Sequence, residues 1–163
     1  WGAPMGEFPE IGFDKVMDLN VKAPYMLTQA LLEPLTAAAT SADPGRVIMT
    51  GSVDGIRVPV GDNFSYSASK AGIHMLARHM AKFLTGRNIT VNCIAPGPFE
   101  SQMMAYMLED EKIRASIERT NPRGRIGTPE DVAGTVIWLA SRAGAYINGV
   151  TIPIDGGISM LNA

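Results

Sequence analysis

The sequence predicts an α/β fold, a doubly wound parallel sheet covered by helices, and three observations carry that expectation. Segments alternate along the 163 residues as helix, strand, helix, strand, irregular segment, helix, strand, the order in which a helix-covered parallel sheet reads. The strand-like runs are short and apolar, as in strands buried on both faces. No internal repeat, low-complexity tract or flexible linker interrupts the pattern, so one domain is expected.

The first helix is predicted from near Phe13 to Ala38. Phe13, Val16, Met17, Leu19, Ala23, Met26, Leu27, Ala30, Leu31 and Leu35 recur at helical spacing, over an arc wider than one core-facing stripe needs. Pro24 removes a backbone donor inside it and predicts a kink. After the Pro44-Gly45 turn, Arg46–Thr50 reads as a buried strand, and Gly51 and Gly55 end it in a loop. The second helix is predicted from near Ser65 to near Thr85, with Gly86 as its stop. Ala68, Ala71, Ile73, Met75, Leu76, Met80 and Phe83 again spread over more than one face. Ile89–Ile94 reads as a strand that Pro96-Gly97-Pro98 closes. The stretch 99–127 reads as irregular, with a short amphipathic piece at Met103, Met104, Met107 and Leu108, and with Glu109-Asp110-Glu111 as a solvated face. Thr128-Pro129-Glu130-Asp131 starts a helix that runs to about Ser141. Thr128 suits the cap, Pro129 the first helical position, and the acids the positive end of the dipole. Thr151–Ile154 is the last strand, before Asp155-Gly156-Gly157.

Composition narrows the function. Apolar residues are 46% and charged residues 18%; the charged share is below the usual quarter, which fits a surface partly covered by a second subunit. A net charge of -2 without a Lys/Arg block argues against nucleic acid and polybasic membrane contacts. No apolar run approaches the ~18 residues of a membrane span. The single cysteine, Cys93, excludes an internal disulfide and reads as a small core residue. His74 and His79 are the only histidines. Their spacing turns them about 140° apart on a helix, so no metal site is expected. Ser52 has no G-x-S-x-G around it, so a hydrolase elbow is not supported.

The sharpest chemical signal is Tyr66-Ser67-Ala68-Ser69-Lys70. Positions i and i+4 share a helix face, so phenol and ammonium can enter one site. A nearby cation favours phenolate and brings the phenol toward acid/base work near neutral pH. Alone, the pair is a common coincidence. Ser52 strengthens it, because it lies just past a strand end, where open parallel sheets bind ligands. A hydroxyl there can hydrogen-bond a substrate oxygen that gains charge; taken alone, it is an ordinary capping serine. The second strand also ends in polar company, with Ser101 four residues after Gly97.

These elements, in this order, resemble the short-chain dehydrogenase/reductase family. They are Asn20 within Leu19-Asn20-Val21, Gly51-Ser52 after a strand, Tyr66 to Lys70, Val91-Asn92 to Pro96-Gly97, Gly127 to Glu130, and Asp155-Gly156-Gly157. The pattern is most similar to 3-oxoacyl-thioester reductases and sugar-acid dehydrogenases. The resemblance implies a Rossmann-like fold and an NADP- or NAD-dependent oxidoreductase, NADP slightly favoured, that interconverts a small-molecule ketone and a secondary alcohol. It implies catalytic roles for Asn20, Ser52, Tyr66 and Lys70: Tyr66 as acid/base, Lys70 lowering its pKa and holding the nicotinamide ribose, Ser52 polarising the substrate oxygen, and Asn20 holding a relay water. Asn20 also has a local reading, as a side chain that distorts its helix. Tyr66, Lys70, Gly97, Phe99 and Ser101 are implied in cofactor binding. The segment 99–127 would be a substrate lid, and its methionines suit either an adaptable acyl pocket or plain packing. The two wide apolar helices imply a homodimer or homotetramer, and a cytoplasmic location is expected.

The sequence also departs from the family. It has no G-x-G-x-x-G or T-G-x-x-x-G-x-G loop, no residue that selects NAD or NADP, and no Asn-Asn-Ala-Gly strand end. The expectation is therefore an incomplete doubly wound fold: residues 1–163 as the C-terminal part of a longer reductase, inactive by itself. A non-catalytic binding or scaffold subunit of the same fold, and an inactive fragment that only self-associates, are the alternatives.

Overall fold

The computed structural model describes residues 1–101, 104–105 and 108–161. Its sheet has three parallel strands in the order β1 (Gly45–Thr50), β2 (Ile89–Pro96), β3 (Thr151–Ile154). Thr50 pairs with Ile94, and Pro96 with Ile154, so all three chains leave the sheet at one edge. Every residue of β2 is buried, as its central place requires. The polar ones are satisfied: Asn92 donates through Nδ2 to the Ile147 carbonyl (2.8 Å) and accepts Val150 N–H at Oδ1 (3.2 Å). That pair seats the loop that leads into β3.

The first helical region begins at Glu10, earlier than the spacing predicts, and is broken twice. It runs as α1 (Glu10–Met17), a π-helical turn at Asp18–Lys22, α2 (Ala23–Ala30) and α3 (Leu32–Ala38). Pro24 offers no N–H to the Asn20 carbonyl and its ring crowds that turn, and the wider π turn takes up the distortion. The expected kink is therefore a π turn just ahead of the proline. The second break, at Leu31 (φ -94°, ψ 6°), was not expected.

Helix α4 (Phe64–Leu84) lies along β2 and continues into a tight turn, Thr85–Arg87. Gly86 is not its left-handed stop. Asn88 is, at φ 56°, since a short polar side chain tolerates that conformation. Met49, Ile73, Ala77, Ala81, Ile89, Val91 and Cys93 form the core between α4 and the sheet. Cys93 is fully buried and its thiol is pushed up to about 11 by loss of solvent. We therefore expect no reaction with a disulfide reagent at pH 8 until the protein is unfolded. Rapid labelling of the native protein would contradict this packing.

The described part of the stretch 99–127 holds a helix that its polarity does not suggest. It contains α5 (Glu111–Thr120), capped by Asp110, whose Oδ1 accepts the N–H groups of Lys112 (2.8 Å) and Ile113 (3.4 Å). The acidic triplet is thus exposed, as expected, but one member has a capping job. In the amphipathic piece, Met104 is half-buried and Leu108 buried, while Met103 and Met107 lie outside the described residues. Helix α6 (Pro129–Ala140) starts where the sequence places it. The Asp131 carboxylate accepts Thr128 N–H (2.8 Å) and pairs with Arg125 (2.7 Å), which holds it well below the usual carboxylate range.

Candidate active site

The site is built where β1 ends against α4. Gly51 N–H closes the strand end on the Ile94 carbonyl (2.7 Å). Ser52 follows in extended conformation, and its Oγ accepts Asp54 N–H (3.2 Å), capping the turn Val53–Gly55. The capping role is therefore real, but it uses only the acceptor side of the hydroxyl. The O–H remains to donate, and the Tyr66 phenol lies near enough for this hydroxyl to pull its pKa down.

Helix α4 brings Tyr66, Lys70 and His74 along one side, four residues apart. Lys70 is buried, and its ammonium donates to the Thr50 carbonyl at 3.0 Å, at the very end of β1. It lies 5.4 Å from the centroid of the Tyr66 ring. Ser52, Tyr66 and Lys70 thus converge, as the sequence reading requires.

The electrostatics differ from the expectation in one respect. Burial raises the Tyr66 phenol above its ordinary 10.0, the Ser52 hydrogen bond pulls it back, and Asp54 pushes it up. The expected acidification by Lys70 is absent from this geometry. The ammonium is drawn to the Thr50 oxygen and sits against the ring, and desolvation of the phenolate outweighs it. Burial also lowers Lys70 from its ordinary 10.5.

Asn20 lies in the π turn and donates through Nδ2 to Ser69 Oγ (2.9 Å), which donates to the Tyr66 carbonyl (2.7 Å). It is tied to the residue next to Lys70 rather than to Lys70 itself. Gly97, Phe99 and Ser101 leave the same sheet edge from β2. Gly97 N–H bonds the Ile154 carbonyl (3.0 Å), Phe99 bridges Gly127, and Ser101 accepts Met104 N–H (3.0 Å). Their described contacts run toward the Asp155 turn and the 99–127 segment, not to Tyr66.

Three residues at this site are given no role in it by the sequence alone. His74 accepts Ser52 N–H at Nε2 (3.3 Å). Gly51 and Gly55 let the loop lie against α4: a Cβ on Gly51 would collide with His74 Nε2, and one on Gly55 would sit 2.5 Å from the Lys70 carbonyl carbon. Their signal was the pair of glycines flanking Ser52, with a histidine one turn past Lys70. Among the described residues no group of His, Cys, Asp or Glu could hold a metal, and no helix is long and apolar enough to cross a membrane.

Known proteins share this arrangement of elements. A family model described as Enoyl-(Acyl carrier protein) reductase matches residues 2–159. The rhamnolipids biosynthesis 3-oxoacyl-[acyl-carrier-protein] reductase of Pseudomonas aeruginosa is 42% identical over 160 residues, covering 98% of this chain and 62% of that protein. The 2-dehydro-3-deoxy-D-gluconate 5-dehydrogenase of Escherichia coli is 39% identical over 155 residues, covering 93% and 58%. Among solved structures, the Pseudomonas aeruginosa RhlG/NADP active-site complex superposes with a TM-score of 0.94 at 42% identity, over 98% of this chain and 62% of that one. The chain thus spans about three-fifths of the length of these relatives.

Proposed function

The chain belongs to the short-chain dehydrogenase/reductase family, and from that premise we propose that it carries the acid/base half of an NADP- or NAD-dependent oxidoreductase acting on a ketone or secondary alcohol. The convergence of Ser52 and Tyr66 hydroxyls beside a buried ammonium is the observation that carries this reading. NADP is favoured, because the similar RhlG structure is an NADP complex.

The residues present fit the nicotinamide-ribose end of such a cofactor. Lys70 is buried and spends one donor on a neutral carbonyl, which leaves two N–H groups suited to sugar hydroxyls. Tyr66 flanks it, and Gly97, Phe99 and Ser101 complete the same edge. The chain has no glycine-rich loop for the pyrophosphate, so the proposal includes a phosphate cradle supplied by residues outside residues 1–163. A bound nicotinamide supplies or accepts the hydride. Tyr66 delivers the proton to the carbonyl oxygen as charge builds there, while Ser52 donates to the same oxygen and holds it in place. Burial raises the phenol above its ordinary value, which suits it to serve as the proton donor when a ketone is reduced. Asn20, held on α4 through Ser69, is assigned the relay water that resupplies the site.

The test is Ser52→Ala in the holoenzyme, assayed by NADPH oxidation with a 3-oxoacyl thioester and with a keto sugar acid. We expect kcat to fall by about 10²-fold with nucleotide affinity unchanged. A loss under threefold with both substrates would remove Ser52 from the site.

The same proposal includes a homodimer or homotetramer. Leu19, Leu27 and Phe83 are each more than 60% exposed on the helical faces around α2 and α4, and a second copy is the partner that two such apolar faces suit. Light scattering on the holoenzyme is expected to give an oligomer; a monomer at micromolar concentration would refute it.

A further inference from the structure

We infer that His74 is a positioning residue that fixes the Ser52 loop onto α4, so that the Ser52 hydroxyl is held facing Tyr66. The inference rests on the roles of Ser52 and Tyr66 proposed above and adds a third side chain to them.

The imidazole is buried and meets the loop at both ends. Nε2 accepts Ser52 N–H at 3.3 Å, and the Gly55 backbone packs against the Cε1 side of the ring, close enough to raise its pKa. One ring therefore clamps both ends of the loop 52–55. The loop is shaped for the ring: a Cβ on Gly51 would strike Nε2, and one on Gly55 would lie 2.8 Å from Cε1. His74 is the side chain that receives the Ser52 N–H, and this bond fixes the backbone from which the hydroxyl reaches toward Tyr66.

This arrangement requires the neutral tautomer with the proton on Nδ1. Protonation would set an Nε2–H against Ser52 N–H, two donors face to face. The charged and titratable groups that bear on the ring are Lys70 and Arg78 on α4, with Cys93 from β2 beside Gly51 and Asp54 on the loop that the ring holds. Burial lowers His74 from its ordinary 6.5, and Lys70 and Arg78 add to that, against the opposing influence of the Gly55 backbone. The folded value is depressed, so the clamp is intact above 6.5 and is lost as pH falls through the folded value.

The test compares His74→Leu, which removes the acceptor, with His74→Gln, which offers an amide oxygen in its place and does not titrate. In the holoenzyme, His74→Leu is expected to lower kcat about tenfold with nucleotide KM unchanged. His74→Gln should recover at least half of kcat and lose the acid limb below pH 6.5. A His74→Leu enzyme within twofold of wild type, or a His74→Gln enzyme as slow as His74→Leu, overturns the assignment. If His74→Leu does not fold, the His74→Gln profile decides: a retained acid limb overturns it, a lost one supports it. Tyr66→Phe runs alongside, because retained turnover there sinks the reductase reading instead. In that case the Ser52 amide resonance decides for His74 alone. It should shift with pH below 6.5 in the wild type and stay flat in His74→Gln, and a flat wild-type amide overturns the clamp.

Discussion

Tyr66→Phe is expected to lower ketone reduction by about 10³-fold or more while leaving the fold in place and weakening nucleotide binding far less than turnover. A positioned proton donor contributes typically ~10²–10⁴ in rate, and Tyr66 is the phenol that meets Ser52 here. The substitution removes one oxygen from a half-buried ring that has the Ser52 hydroxyl close to it. Lys70 keeps its bond to the Thr50 carbonyl, so the ribose end of the site is preserved. Single-turnover kinetics, with circular dichroism and nucleotide titration as controls, check it. A variant that keeps a tenth of wild-type turnover would show that another group delivers the proton.

Gly55→Ala is expected to give a large loss of stability. The new Cβ would lie 2.5 Å from the Lys70 carbonyl carbon and 2.6 Å from the Ala71 nitrogen. Both are backbone atoms of a 21-residue helix and cannot swing aside. Overpacking of this kind costs about 1–3 kcal/mol, or roughly 3–10 °C in a domain of this size. Activity falls with it, since the displaced turn begins at Ser52. Gly61→Ala is the control, because a Cβ there meets nothing within 4 Å. Thermal unfolding of the pair checks the prediction; equal melting temperatures would mean that loop 52–55 does not press on α4.

The site was legible in proportion to how local its geometry is. Tyr66 and Lys70 stand four apart on one helix, so spacing alone put them together, and Ser52 was found because a strand end is a place in sequence as well as in space. His74 was missed because its partner is a backbone N–H twenty-two residues away, which no residue type announces. The two glycines beside Ser52 were its only trace. The lowering of the Tyr66 pKa by Lys70 was inferred from proximity, whereas its direction is set by burial and by where the ammonium is bound, and neither is written in spacing. The fold shows the same division. Strand positions and the α6 start followed from apolar runs and cap chemistry. The break at Leu31 falls at a good helix former, and α5 was read as irregular because its outer face is polar, although Asp110 with Ile113 and Ile117 carried a cap and an i, i+4 pair.

The account depends on two hydroxyls serving one substrate oxygen as a unit, and a double-mutant cycle measures that unity. Ser52→Ala, Tyr66→Phe and the double variant would be compared by kcat for ketone reduction in the holoenzyme. The account predicts that the double variant is no more than a few-fold slower than Tyr66→Phe, because groups acting together do not lose their effects independently. Losses that multiply across the cycle would contradict it and place Ser52 and Tyr66 in separate roles.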